Sequence, residues 1–454
     1  MLQNLVQKYN IPGPRYTSYP TVPYWDESQF TRNKWISCVQ KSFIESNDTE
    51  GISLYIHLPF CESMCTFCGC NKRITKNHLV ESVYINSVLK EWELYCNYFH
   101  KKPKIKEIHL GGGTPTFFSP ENLKILIDGI FKRAEKFDND SYFSFEGHPN
   151  NTTLEHLKKL YELGFRRVSY GIQDFDPYVQ TLINRIQSFE NVKRVTEQAR
   201  EIGYTSVNFD IIYGLPQQKL SSVINTMDLV NQLKPDRIAY YSYAHVPWIK
   251  GLGQRKFTEE DLPSPQLKQE LYETGKSLLK ENGYLEIGMD HFALEHDSLW
   301  SALQNKTLHR NFMGYSDSKT QMMIGLGVSS ISDSWTGFSQ NEKKLEDYYQ
   351  AIKENRIPVF RGHILSDEDL IVRQHILNLM CQLETKWQAG EFGECEIDIL
   401  SRLATYEKDE LIELNGKNLK VTKEGKAFIR NICMAFDVKL WRKKPTTKLF
   451  SMTI

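Results

Sequence analysis

The chain has 454 residues, and its 56 lysines and arginines balance 56 aspartates and glutamates, which leaves a formal net charge of zero. A quarter of the residues are charged and 40% are hydrophobic, a composition that is typical of globular proteins and excludes disordered and fibrous classes. Neutrality argues against a nucleic-acid binder that relies on bulk positive charge, and the absence of about 18 consecutive apolar residues or of a signal peptide predicts a cytosolic protein without a membrane span.

A strand-then-helix pattern recurs between roughly residues 51 and 290. Its apolar segments are short and rich in aromatic and β-branched residues, which predicts strands that are buried on both faces. The predicted strands cover residues 51–58, 105–110, 141–146, 167–173, 206–213 and 237–243. The predicted helices between them cover residues 80–97, 121–136, 153–163, 188–202 and 221–233. Such α/β units predict a parallel sheet that closes partly, as a TIM-like (β/α)6 barrel spanning residues 51–290.

The two flanking regions have different patterns. Residues 1–50 lack strong periodicity, and the proline-rich stretch Ile11–Tyr24 predicts an extended N-terminal arm that lies on another part of the protein. Residues 291–454 predict a mainly helical C-terminal domain with few strands, and its helices are expected at residues 340–353, 366–383, 397–413 and 423–434. Near its end, Asn415-Gly416 predicts a hairpin turn and Thr422 a helix N-cap, as in a winged helix. At zero net charge we interpret this domain as a packing or lid module.

Four of the nine cysteines, Cys61, Cys65, Cys68 and Cys70, lie within ten residues just after the first predicted strand. In a reducing cytosol such a group indicates a metal or catalytic site. A structural zinc site is one interpretation, but four-cysteine zinc sites usually use two separated cysteine pairs. The spacing also differs from that of bacterial ferredoxins. Cys-x3-Cys-x2-Cys allows one loop to bind three irons of a [4Fe–4S] cluster and leaves the fourth iron open, so we favour an iron–sulfur cluster over zinc.

Other polar and glycine motifs lie at the carboxyl ends of the predicted strands. They are Gly111–Thr114, Glu146, Gln173, Asp210 with Gly214, and Ala244 with His245. The carboxyl ends of parallel barrel strands form one rim, where barrels of this kind place their active sites. Each residue alone is equally compatible with a structural hydrogen bond. Their common position predicts a functional site, at which the glycines allow a ligand to approach the backbone.

The cysteine motif Cys61-x3-Cys65-x2-Cys68 at the end of the first strand resembles that of the radical S-adenosylmethionine (SAM) superfamily, whose barrel often has six strands. The resemblance implies that Cys61, Cys65 and Cys68 hold a [4Fe–4S] cluster whose open iron is chelated by SAM. It also implies that an electron from the cluster cleaves SAM to methionine and a 5′-deoxyadenosyl radical. Cys70, one residue beyond Cys68, is expected not to bind iron.

Motifs along the whole chain resemble one family of that superfamily, the oxygen-independent coproporphyrinogen III oxidases. They are PRYTSYPT (14–21), YIHLPFCESMCTFCGCNK (55–72), HLGGGTPT (109–116), GIQDF (171–175), NFDIIYGLP (208–216), YAHVP (243–247), GMDHFA (288–293), LHRNFMGY (308–315), GVSSIS (327–332) and RNICMAFD (430–437). The resemblance implies anaerobic oxidative decarboxylation of coproporphyrinogen III to protoporphyrinogen IX in haem biosynthesis. It also implies a reductant for the cluster, a terminal electron acceptor of unknown identity, and a monomer.

The resemblance further implies that two SAM molecules bind. Residues that match contacts to the cluster-bound SAM are Tyr55, Gly112, Glu146 and Ile331. Residues that match contacts to the second SAM are Phe67, Gly113, Thr114, Gln173, Arg185, Asp210 and Ala244. One departure is Gly147-His148 after Glu146, where the family often has Val-Asp, so no role that requires an acid is expected at residue 148.

A substrate with four propionates needs cations around an apolar pocket. The candidates are Arg15, His245, His291, His309, Arg310 and Arg430, each equally explicable as structural. Two other functions remain open at this point. One is a haem-binding relative that carries haem without decarboxylation, although such relatives generally lack the PRYTSYP arm. The other is a zinc-stabilised binding or structural protein.

Overall fold

The computed structural model describes residues 2–138, 141–247, 253–445 and 449–453. Within these residues, six parallel strands lie side by side in chain order and form the wall of a partial barrel. They are β1 Ile52–Leu58, β2 Lys104–Gly112, β3 Tyr142–Gly147, β4 Phe165–Gln173, β5 Ser206–Tyr213 and β6 Arg237–Ser242. The predicted (β/α)6 barrel is therefore confirmed, and the carboxyl ends of its strands share one rim.

The helices pack on the outside of this wall and in the flanking regions. They are α1 Leu2–Tyr9, α2 Arg32–Ser46, α3 Val80–Cys96, α4 Pro120–Phe131, α5 Leu154–Glu162, α6 Pro177–Leu182, α7 Phe189–Ile202, α8 Leu220–Leu233, α9 Pro265–Glu281, α10 Ser298–Gln304, α11 Leu345–Lys353, α12 Asp367–Gln382, α13 Glu396–Lys408, α14 Ile429–Phe436 and α15 Val438–Arg442. Gly203 ends α7 in the left-handed region at φ 109°, which places the chain for β5. None of the described helices has both the length and the apolar character of a membrane span.

The barrel sheet continues beyond both of its edge strands. Its further strands are β7 Leu285–Gly288, β8 His291–Ala293, β11 Met323–Leu326, β12 Ile331–Asp333, β13 Gly337–Asn341 and β14 Val359–Ile364, whereas β9 His309–Asn311 and β10 Gly314–Ser316 form a separate antiparallel hairpin. Strand β8 pairs antiparallel with β6, whereas β11 pairs parallel with β1 and leads into β12, β13 and β14. The expectation of few strands after residue 290 is wrong, because these strands of three to six residues are too short to show a period.

A network of buried charges closes the barrel at the amino-terminal ends of its strands. Asp317, just after β10, pairs with Arg167 of β4 at 3.0 Å and with Arg237 of β6 at 3.4 Å. Arg237 also pairs with Asp297 at 2.7 Å, and Glu107 of β2 lies 3.9 Å from Arg167. We call these five residues the base network. It holds the β9–β10 hairpin against the barrel wall.

The C-terminal region folds around a core of its own. Strands β15 Glu384–Lys386, β16 Ile412–Asn415 and β17 Asn418–Val421 form an antiparallel sheet in the order β15-β17-β16, beside α12, α13 and α14. The turn at Gly416 has φ 64°, and the Thr422 hydroxyl accepts a hydrogen bond from the Gly425 N–H at 3.0 Å, as the winged-helix pattern predicted.

The N-terminal arm packs on this C-terminal core. Tyr9, Tyr16 and Tyr19 are buried in it, and the Tyr16 hydroxyl donates to Asp437 at 3.0 Å. The Arg430 guanidinium donates to the carbonyls of Pro14 at 2.9 Å and of Gly13. The extended arm that rests on another part of the protein is thus confirmed, whereas helix α2 within residues 1–50 was not predicted and packs on the barrel.

Candidate functional site

The cysteine loop begins where the short strand Phe60–Cys61 pairs with Arg73–Ile74. Three hydrogen bonds with two outside segments then hold its backbone. The Thr66 N–H donates to the carbonyl of Ile183 at 2.9 Å, the Asn184 amide donates to that of Met64 at 2.8 Å, and the Gln254 amide donates to that of Phe67 at 2.9 Å. Its conformation therefore depends on the loop after β4 and on the segment after β6.

The thiols of Cys61, Cys65 and Cys68 are partly buried and reduced, whereas Cys70 is exposed. Side-chain donors reach two of the sulfurs. The Thr114 hydroxyl donates to Cys61 Sγ at 3.3 Å, and Arg185 Nη1 lies 3.9 Å from Cys65 Sγ. Burial raises the pKa of the Cys61 thiol to about 11, so a thiolate there needs a compensating cation.

The donor set suits an iron–sulfur cluster better than a single metal ion. Among the described residues, no group of three His, Cys, Asp or Glu side chains converges closely enough to hold one ion. A structural zinc ion requires four such ligands around one point. The thiolates of a [4Fe–4S] cluster bind separate irons and need not converge, and hydrogen bonds to cluster sulfurs are a known means of tuning the potential. The three loop cysteines with Thr114 and Arg185 fit that requirement.

Close packing of the protein itself explains the glycines after β2. Gly112 has φ 114°, and a Cβ there would lie 2.7 Å from the His57 ring. A Cβ on Gly113 would lie 2.6 Å from the backbone of Pro59. The approach of a ligand to these glycines stays a prediction, because the neighbouring strand end already excludes a side chain at both positions.

Glu146 and Tyr55 lie at the centre of the rim, joined by two histidines that the sequence analysis did not single out. Tyr55 Oη lies 3.0 Å from His57 Nδ1, and His109 Nε2 lies 3.4 Å from the Glu146 carboxylate. Burial opposes the ionisation of Glu146, but the hydrogen bonds from His109 and from the Gly112 N–H outweigh it and lower the pKa of this carboxyl. Strand alternation places residues 55 and 57 on one face, and this signal points to His57 from the sequence.

Ile331 borders the same group from the extended part of the sheet. Gly325 of β11 pairs with Tyr55, and a Cβ on Gly325 would lie 2.4 Å from the Ile331 carbonyl. The structure thus places the predicted residues on four strands of one sheet: Tyr55 on β1, Gly112 on β2, Glu146 on β3 and Ile331 on β12.

A second group lies at the ends of β4 and β5. Gln173 adopts φ 68° at an irregularity of β4, and Arg185 Nη2 donates to the Gly171 carbonyl at 2.8 Å. Asp210 accepts hydrogen bonds from Ser169 and Asn208, both at 2.9 Å. Burial raises the pKa of Asp210 to about 6, and the charge of Glu146 adds to the shift.

Phe67 and Ala244 complete the second group through a residue that sequence reasoning missed. The Gln254 amide nitrogen donates to the carbonyls of Phe67 at 2.9 Å and of Ala244 at 3.1 Å, so it joins the cysteine loop to the end of β6. Gln254 is buried, although no motif contains it. No local pattern signals such a bridge, because its partners lie 187 and 10 residues away.

A cavity of about 270 Å³ runs down the barrel from this rim to the base network. Glu146 and Asp210 line it near the rim, and Tyr241, His291 and Tyr315 line another part of its wall. Such a position, inside the barrel and below the carboxyl ends of the strands, is where barrels of this type bind ligands.

Of the candidate substrate cations, His291 lines the cavity, whereas Arg430, His309 and His245 have other surroundings. Arg430 is structural, since its donors end on backbone carbonyls of the arm. His309 is buried, which lowers its pKa to about 3, and it lies near Arg373 and Lys319. His245 Nδ1 lies 3.1 Å from the Tyr243 hydroxyl at the end of β6.

Comparisons with known proteins agree with this architecture. Residues 55–230 match the model of the radical SAM superfamily. The oxygen-independent coproporphyrinogen III oxidase of Helicobacter pylori strain J99 is 39% identical over 457 residues, which cover 98% of each chain. The enzyme of that name from Escherichia coli K12 is 38% identical, over 99% of this chain and 98% of the relative. The solved structure of coproporphyrinogen III oxidase from Escherichia coli, described as a radical SAM enzyme, matches with a TM-score of 0.88 and 35% identity, and the match covers 96% of this chain and 98% of that one.

Proposed function

The chain belongs to the oxygen-independent coproporphyrinogen III oxidases, a family of radical SAM enzymes, and from this premise we propose that it converts coproporphyrinogen III to protoporphyrinogen IX without oxygen. Two propionates become vinyl groups, and each loses CO2, one hydrogen atom and one electron. The observation that carries the proposal is the near-full-length match to relatives of that name, together with the three-cysteine loop that follows β1 at the carboxyl end of the barrel. When bound, the cluster and SAM supply the 5′-deoxyadenosyl radical that removes the hydrogen atom.

Cys61, Cys65 and Cys68 are the cluster ligands in this proposal. Support comes from their shared loop, their partial burial and the donors that reach two of the sulfurs. Cys70 is not a ligand, consistent with its exposure.

The SAM sites follow the two groups at the rim. Tyr55, Gly112, Glu146 and Ile331 bind the cluster-bound SAM, where the ionised Glu146 accepts hydrogen bonds from hydroxyl or ammonium groups. A further set binds the second SAM: Phe67, Gly113, Thr114, Gln173, Arg185, Asp210 and Ala244. The shared cavity of Glu146 and Asp210 supports this arrangement.

The rest of the chain encloses the site. We assign residues 1–50 as an arm, residues 51–290 as the barrel domain and residues 291–454 as the mainly helical C-terminal domain. The arm and the C-terminal domain exclude water from a reactive alkyl radical, which otherwise attacks unintended C–H bonds. The protein acts as a cytoplasmic monomer with a separate reductant and a terminal electron acceptor, and it binds neither nucleic acid nor membranes.

An anaerobic assay tests this function directly. Reduced protein with reconstituted cluster, SAM and coproporphyrinogen III is expected to form protoporphyrinogen IX and 5′-deoxyadenosine together. Cleavage of SAM without a decarboxylated product would contradict the proposed substrate. One zinc and no acid-labile sulfide in the anaerobically purified protein would support the zinc-stabilised alternative. The haem-carrier alternative lacks support, because the full-length relatives are named oxidases.

A further inference from the structure

Arg310 of β9 is a buried arginine whose donors are only partly used. Its exposed fraction is 4%, and its Nε and Nη1 have no hydrogen-bond partner. Nη2 donates to the Arg15 carbonyl at 3.2 Å, and the guanidinium lies 4.5 Å from the centre of the Tyr315 ring. In the described part of the chain, no carboxylate forms an ion pair with it. A charge buried in this way is unfavourable unless a partner binds it.

Two other buried arginines of the described chain, Arg373 and Arg237, are paired with carboxylates, and a third, Arg430, donates to backbone carbonyls. Arg373 lies 2.5 Å from Asp333, and Arg237 lies 2.7 Å from Asp297. Arg15, next to Arg310, forms an ion pair with Asp290. Arg310 differs from Arg373, Arg237 and Arg15 because it forms no ion pair with a carboxylate of the described residues.

His291 of β8 adds a second unpaired group beside Arg310. Its Nδ1 is buried without a partner, while Nε2 lies 3.3 Å from the Tyr241 hydroxyl. Burial, with the charges of Arg310 and Arg15, lowers the pKa of His291 to about 3, so the ring is neutral near pH 7. The tautomer that accepts from Tyr241 at Nε2 carries its proton at Nδ1, and that N–H is then a free donor.

His291 lines the barrel cavity, and Arg310 lies against one of the rings that line it. The rings at this part of the wall belong to Tyr241 and Tyr315, and the one that Arg310 contacts is that of Tyr315. Free N–H groups on a guanidinium and an imidazole match the two oxygens of a carboxylate. The acidic residues Glu146 and Asp210 line the cavity as well and repel a second anion from their own positions.

We propose that Arg310 and His291 bind one propionate carboxylate of the substrate, and that this propionate is one of the two that are retained. The assignment rests on the proposed function. A carboxylate that leaves as CO2 loses its charge in the transition state, so tight binding of its anionic form slows decarboxylation. A retained carboxylate keeps its charge throughout and is therefore a suitable anchor for the macrocycle.

Binding of the coloured, oxidised porphyrin to the holoenzyme tests the assignment. Arg310→Met is expected to weaken the binding of coproporphyrin III roughly tenfold or more, the loss of about one charge-assisted hydrogen bond. Arg310→Lys, which keeps the charge without the fork, and His291→Gln are expected to fall between wild type and Arg310→Met. The tetramethyl ester of coproporphyrin III, which has no carboxylate, is expected to bind all of these proteins equally.

A stability measurement separates binding from structural roles. Arg310→Met removes an unpaired buried charge, so its melting temperature is expected to equal or exceed that of wild type. Arg430→Met is the matched control, and its melting temperature is expected to fall, because backbone carbonyls lose their donors. If Arg310→Met does not fold, a structural role is indicated for it, and Arg310→Lys and His291→Gln then decide whether a carboxylate is bound.

The outcomes also separate this assignment from the proposed function. Equal affinity of wild type and the three variants for coproporphyrin III, or an equal loss for the tetramethyl ester, overturns the carboxylate site alone when wild type still turns over coproporphyrinogen III. A wild-type holoenzyme that neither binds nor converts the substrate contradicts both.

Discussion

The arginines of the base network are paired with carboxylates, whereas Arg310 is not. At the base, Arg167 and Arg237 meet Asp317 and Asp297 at distances between 2.7 and 3.4 Å. Against the cavity-lining ring of Tyr315, by contrast, Arg310 forms no ion pair with a carboxylate of the described residues. The base therefore uses its charges to hold the fold together, while the wall keeps donors available for a ligand.

Two aspartates show the same difference in their acidity. Burial opposes the ionisation of Asp317, but the charges of Arg167 and Arg237 hold its pKa well below the usual range. Asp174, directly after β4 near the rim, is fully buried, and burial raises its pKa to about 6. Its hydrogen bonds come from neutral groups such as Gln218 and Thr226. The same residue type is thus held ionised at one end and protonated more readily at the other.

Loss of the proposed cluster ligands is expected to give the largest effect and to separate function from folding. We expect each of the variants Cys61→Ser, Cys65→Ser and Cys68→Ser to abolish cluster assembly and turnover, because each removes a proposed thiolate ligand. Folding is expected to be retained, because the base network and the barrel core remain unchanged. Iron and sulfide content, together with activity after anaerobic reconstitution, measures the effect. Cys70→Ser is the control from the same loop and is expected to assemble the cluster. Turnover in any of the first three variants would contradict the ligand assignment.

Breaking the base network has the opposite signature, a loss of stability. Arg237→Ala leaves Asp297 and Asp317 buried with fewer cations, and we expect the free energy of unfolding to fall by about 3–5 kcal/mol. Urea denaturation measures the change. Arg442→Ala, which breaks an exposed pair with Glu368, is the control and is expected to cost at most about 1 kcal/mol. Equal losses in the two variants would show that burial of the pair is unimportant.

The pH dependence of stability is expected to differ in sign between the two ends. Between pH 4 and pH 6, folded Asp174 keeps a proton that the unfolded chain has released, so rising pH lowers the stability of wild type relative to Asp174→Asn, by up to about 3 kcal/mol. Asp317 is the counterpart. Its ionised form stabilises the fold above about pH 4, so the advantage of wild type over Asp317→Asn shrinks as the pH falls below that value. Denaturation midpoints over this range measure both, and slopes of the same sign would contradict the comparison.

The smallest effect is expected at Arg185, the rim donor that we propose binds the second SAM without being required for folding. Arg185→Ala is expected to leave iron and sulfide content unchanged and to lower the rate of product formation roughly tenfold, the equivalent of about one hydrogen bond to a charged group. The KM for SAM and kcat measure the effect, with Arg194→Ala on α7 as a surface control. Unchanged kinetics would remove Arg185 from the second SAM site.

Local patterns of the sequence were enough to predict the barrel and the rim. The six barrel strands and the predicted helices between them begin and end within two residues of the predicted positions, apart from α4, which ends at Phe131 and not at residue 136 because Glu135–Lys136 pairs with β2. The cysteine loop and the residues at the strand ends follow from the same pattern. The short strands β11–β14 do not, since three to six residues carry no period.

Contacts between distant residues were beyond reach from the sequence. Gln254 bridges Phe67 and Ala244. Arg430 donates to backbone carbonyls whereas two donors of Arg310 have no partner, and the sequence alone does not distinguish these two arginines. The glycines after β2 illustrate the same limit. A ligand was predicted as the reason for Gly112, whereas the ring of His57 already occupies that space.

The pairing of Arg167 with Asp317 has a consequence for the order in which the protein forms during synthesis. The two residues lie 150 positions apart, and Arg237 and Asp317 lie 80 apart. All of the barrel wall therefore leaves the ribosome well before the hairpin that closes it, and loop-closure entropy delays such distant contacts further. The nascent wall spends this interval without the hairpin and without the ion pairs that later close its base.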